Sequence, residues 1–105
     1  MRGETNSAPT GGGLKVIASG SQSLEDPVNV TLPQPASFLL FQEWHTTNYN
    51  NQVMQSSGVL MPGDAVTVSS AASTTTLVSF TGTEFYYAKE TYASDEYTLK
   101  YIALG

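Results

Sequence analysis

The chain has no cysteine. That excludes a disulfide framework, a zinc ribbon and a thiol nucleophile together, while leaving the redox compartment open. Charge is scarce too. Only 12% of residues are Asp, Glu, Lys or Arg, about half the usual share, so solubility falls to Ser, Thr, Asn and Gln. Basic residues are fewest, just Arg2, Lys15, Lys89 and Lys100, each standing alone. Nothing so dispersed neutralises a row of phosphates or holds an anionic bilayer, so neither nucleic acid nor membrane is expected as a partner. The formal net charge of −5 keeps copies from sticking at random but points to no particular partner. No apolar stretch nears the ~18 residues of a membrane helix. The opening Met1-Arg2-Gly3-Glu4-Thr5-Asn6 has no apolar h-region, so the expectation is a soluble protein without a secretory signal. Good helix formers never recur at helical spacing.

What is present favours strands. The chain is rich in Thr, Ser, Val, Tyr and Phe, residues suited to a pleated, half-buried surface. Its 105 residues make one domain, large enough for a core without metal or disulfide staples. The densest apolar run is Phe38-Leu39-Leu40-Phe41-Gln42-Glu43-Trp44, with two of the four phenylalanines and the only tryptophan. It reads as the central strand. Alternation places Phe38, Leu40, Gln42 and Trp44 on one face and Leu39, Phe41, Glu43 and His45 on the other. Its first half is apolar on both sides, so it is expected to start between two layers and emerge at a rim near Trp44 and His45.

Residues 1–13 (MRGETNSAPTGGG) read as a flexible arm, with the triple glycine at 11–13 free to sample many backbone conformations. From 14 to 105 short strands alternate with turn signals. Val28, Val30 and Leu32 alternate with Asn29 and Thr31, bounded by Pro27, Pro33 and Pro35, the marks of an edge strand. Residues 52–60 form another strand, in which Gly58 suggests a bulge. Met61-Pro62-Gly63-Asp64 is a type II turn signal, with proline at the second position and glycine at the third. Later runs place Thr76, Val78 and Phe80 on one face, and Tyr97, Leu99 and Tyr101 inward with Thr98 and Lys100 outward. Residues 84–101 are the one stretch a helix could claim, but the period-2 pattern of 97–101 favours a strand. About eight strands at this spacing predict an all-β fold, a single β-sandwich of jelly-roll or immunoglobulin-like type, antiparallel, with an extended N-terminal arm.

Residues able to carry chemistry are few. His45 is the sole histidine; on a strand it lies ~6.5 Å from Glu43 on the same face, but a metal site wants three or four ligands. No serine stands in a Gly-x-Ser-x-Gly setting, and the pairs Glu25-Asp26 and Asp95-Glu96 suit solvated turns better than a hydrolytic dyad. No nucleotide or calcium-loop fingerprint is present. No catalytic, metal or cofactor residue is therefore expected, and an enzyme is the least favoured class. Aromatic residues at strand ends and loops, Trp44, Tyr49, Tyr86, Tyr87 and Tyr92, suit stacking on a sugar or anchoring an interface.

The arm, the cysteine-free Ser/Thr-rich β domain and the acidic, lightly charged surface together resemble small structural proteins of bacteriophage virions, capsid-decoration proteins and tail or fibre modules. The resemblance is one of make-up and spans the whole chain. It implies a non-catalytic virion component that packs against copies of itself as a homo-oligomer, a trimer among the forms allowed. The arm would then lie on a larger virion or scaffold protein, and Pro9, Thr10, Leu14 and Ile17 are the candidate partner-binding residues. Ile17, Leu77, Ile102 and Leu104 fall on nominally outward positions and call for a cover. Leu60-Met61-Pro62-Gly63-Asp64-Ala65-Val66 also resembles the Leu-x-Pro-Gly-x-x-Tyr corner of fibronectin-type domains, but Val66 stands where the corner tyrosine would be. The alternative is a lectin-like module binding surface glycan through Trp44, Tyr49 and Tyr92, assisted by Asn48, Asn50 and Gln52.

Overall fold

The computed structural model describes residues 14–47, 51–69, 71–88 and 96–105. Pro9, Thr10, Tyr49 and Tyr92, together with Asn48 and Asn50, lie outside the described residues. Among those described there are eight strands: β1 (Val16–Ser23), β2 (Val28–Thr31), β3 (Phe38–Thr46), β4 (Gln52–Leu60), β5 (Ala65–Ser69), β6 (Thr74–Phe80), β7 (Glu84–Tyr87) and β8 (Glu96–Leu104). They form two four-stranded sheets, in the orders β1-β8-β3-β4 and β2-β7-β6-β5, with every pair antiparallel. The fold is all-β, as the strand spacing predicts. β1 and β2 lie in different sheets, unlike an immunoglobulin domain, where the first two strands pair. The nesting of β1 beside β8 and of β2 beside β7 is shared with jelly rolls, but the inner strands pair as the hairpins β3-β4 and β5-β6.

One core lies between the sheets. Leu39, Leu60, Leu99 and Ala103 enter it from the first sheet, and Val28, Val78, Phe80, Phe85 and Tyr87 from the second. Phe80, Phe85, Leu24, Leu39 and Leu99 are fully buried, and each large-to-alanine change at such sites costs about 2–5 kcal/mol. Alternation delivers β2 and β8 as read: Val28 and Leu32 are buried, and Leu99 is inward beside Tyr97 and Tyr101. β2 is an edge strand, as its flanking prolines require. The Met61–Asp64 turn also forms. The Asp64 amide donates to the Met61 carbonyl at 2.9 Å and Gly63 takes φ 98°, while the Asp64 carboxylate accepts from the Met61 amide at 2.8 Å.

Two apolar residues expected outside turn inward instead. The β1–β8 register skips Ile17 and the β5–β6 register skips Leu77. Each is the extra residue of a bulge, which shifts the alternation by one place, and both pack against the core. Ile17 is half-buried and packs against the core from β1. Gly58 is not the bulge in β4 either. The irregularity lies at Gln55, and Gly58 leaves room for Phe41, whose ring would stand 3.0 Å from an added Cβ. Gly20 plays the same part for Tyr101, whose hydroxyl would stand 2.6 Å away. Gly20, Tyr101, Phe41 and Gly58 are consecutive across the sheet, so two central rings spread over a glycine on each side.

Candidate functional site

β3 is apolar on both faces but covered on one. Leu39 is sealed in the core while Phe38 and Leu40 are only half-buried. The reason lies in the strand order: nothing among the described residues is layered on the outer face of the β1-β8-β3-β4 sheet. Its registers build that face row by row. Val16, Leu104 and Phe38 form the first row; Ser19, Ile102, Leu40 and Val59 the second; Ser21, Lys100, Gln42 and Ser57 the third; Ser23, Thr98, Trp44 and Met54 the fourth. The first two rows are almost wholly apolar. Ile102 and Leu104, expected to need a cover, stand here half-buried.

The third and fourth rows are tied together. Trp44 Nε1 donates to Gln42 Oε1 at 3.0 Å, and Lys100 Nζ lies 5.3 Å from the centre of the indole. That contact lays the long lysine stem along the sheet and satisfies the ammonium in part through the ring face. Lys100 is the one charged side chain in these four rows. Beside it a shallow open concavity of about 470 Å³ is bounded by Leu40, Gln42, Ser57, Val59, Lys100 and Ile102. A floor of Leu40, Val59 and Ile102 with polar groups along one side suits a protein surface of matching shape.

On the inner side, Glu43 and His45 share a face, as the alternation requires. Glu43 is 4% exposed, and the Tyr87 hydroxyl donates to Glu43 Oε1 at 2.6 Å. This bond joins β3 of one sheet to β7 of the other. Burial pushes the Tyr87 phenol far above its ordinary range, the Glu43 carboxylate adds to the rise and the Ser56 hydroxyl opposes it. Tyr87 therefore stays a proton donor throughout the neutral range. His45 stacks on Tyr97 with centroids 4.7 Å apart. Among the described residues no three His, Asp or Glu side chains are grouped so as to hold a metal.

Of the candidate partner and glycan residues, Leu14 is exposed just ahead of β1 and Trp44 is half-buried on the outer face. Tyr87, read as one of the strand-end aromatics, is buried in the core, and its bond to Glu43 has no local signal because the partner is 44 residues away. Phe38, Leu40 and Val59 had a signal in the two-sided apolar run of β3, but their alignment depends on the registers. No family model, no curated protein and no solved structure matches this chain. No helix among the described residues is long and apolar enough to cross a membrane.

Proposed function

We propose that this chain is a non-catalytic structural and assembly protein, a phage virion component of the capsid-decoration or tail and fibre kind. It binds neighbouring subunits through its β domain and through the 1–13 arm. The observation that carries the reading is the outer face of the first sheet, where Phe38, Leu40, Ile102, Leu104 and Val59 adjoin. Contiguous apolar patches on a folded domain mark interaction surfaces, whereas scattered apolar residues need no explanation. The position of Lys100 favours this reading over glycan binding, since the ammonium occupies the indole face on which a sugar would stack.

Sedimentation velocity of the full chain and of a chain lacking 1–13 tests the proposal. The expected result is a complex that grows with concentration. Clean monomers from both chains at every concentration, with the arm dispensable for incorporation into a larger particle, would remove its support.

A further inference from the structure

Among the described residues four strands form the lateral borders of the two sheets, and three of them are short or flanked by proline or charge. β2 has four residues between Pro27 and Pro33, and β5 has five, entered from the Pro62-Gly63 turn. β1 starts with a bulge, is built largely of serine and other small residues, and has Lys15 at one end with Glu25 and Asp26 at the other. β4 is different. It runs nine residues, Gln52–Leu60, without proline or charge, between uncharged Asn51 and Met61. Of the seven large apolar side chains most exposed among the described residues, Val53, Met54, Val59 and Met61 all lie on or next to it, at 45%, 46%, 59% and 53% exposure. A long, uncharged, apolar border strand leaves a row of amides and carbonyls ready to pair with another strand.

We infer that β4 is the seam along which two copies of this chain join, strand against strand and antiparallel, to give one eight-stranded sheet. The inference rests on the assembly reading above and identifies the partner and the contact. A second copy fits because an antiparallel strand is complementary to itself, so the joint closes as a two-fold dimer. It also fits on charge. Two molecules of net charge −5 repel at most orientations, and β4 is a border at which neither brings a charge. A strongly basic partner would instead be drawn to the acidic surface elsewhere. Joining at β4 also places the two Phe38-Leu40-Ile102 faces side by side, giving one continuous apolar plane for the rest of an assembly.

Hydrogen exchange of the full chain, read at β4 amides over a range of concentration alongside sedimentation, tests this directly. The β4 amides not bonded to β3 are expected to exchange slowly in concentrated solution and quickly on dilution. The V53K/Q55K variant should associate about tenfold or more weakly, because lysines on a border strand block pairing. Core amides at Leu39 and Leu99 should keep their protection in that variant, which separates lost pairing from lost folding. An oligomer whose β4 amides exchange fast at all concentrations would overturn the β4 seam and leave the assembly reading standing. A monomer at every concentration would overturn both.

Discussion

Removing one oxygen, by Tyr87→Phe, tests how the two sheets are fastened. The ring remains among Phe41 and Phe85, with centroids at 5.2 and 6.2 Å, so packing is conserved. What goes is the 2.6 Å bond to a carboxylate that is 4% exposed. A hydrogen bond to a charged group contributes about 1.5–3 kcal/mol, and the burial of this pair places the loss within that range. For a domain this size about 2–3 kcal/mol lowers the melting temperature by roughly 10–20 °C. Urea unfolding followed by circular dichroism measures it, and the double-mutant cycle with Glu43→Gln isolates the pair. Glu43→Gln alone should cost less, since the amide oxygen can still accept from Tyr87. The same bond has a pH signature. Because the folded phenol titrates above its unfolded value of 10.0, the unfolded state loses its proton first as pH rises. The contribution is thus complete below pH 10.0 and declines above it towards the folded value. Tyr87→Phe should remove that part of the alkaline decline. A change under about 0.5 kcal/mol, the size of an ordinary surface substitution, would refute the latch.

Other expectations follow from the same geometry. Gly58→Ala should destabilise by about 1–2 kcal/mol, as the Phe41 ring must move within a packed core, and equilibrium unfolding reads the change. Gly82→Ala should cost about 1–2 kcal/mol, because φ is 106° in a buried loop; an unchanged urea midpoint would contradict it. Trp44→Ala should cost under about 1.5 kcal/mol in the monomer, since the ring lies on the outer face rather than in the core. Being the only tryptophan, Trp44 should also shift its emission to the blue as concentration rises and the face is covered.

Residues 24 to 32 and 97 to 104 show what was legible in advance. Within them the apolar side chains of 28–32 and 97–101 alternate, so the buried faces of β2 and β8 follow from period 2 there, and Pro62-Gly63 encodes its turn locally. Legibility fails where the chain slips a residue. Ile17 and Leu77 look outward by strict alternation and turn inward because each is the added residue of a bulge, which depends on the partner strand rather than on the local sequence. Gly58 carries a sign of irregularity that belongs to Gln55, since its real task is set by the ring across the strand. The outer face was half visible. Ile102 and Leu104 announce an uncovered surface, but only the register sets them beside Leu40, Phe38 and Val59. The Glu43–Tyr87 bond was hidden altogether, because side chains on different sheets meet through topology.

Sedimentation equilibrium of the full chain beside L40K/I102K puts the central idea, that this protein acts by being fitted against other surfaces, to its most direct trial. The wild-type chain should show an average mass rising past that of two chains between ~1 and ~100 μM, and the variant should rise no further than the β4-joined pair while unfolding at an unchanged urea concentration. Equal, concentration-independent masses for the two would contradict the account.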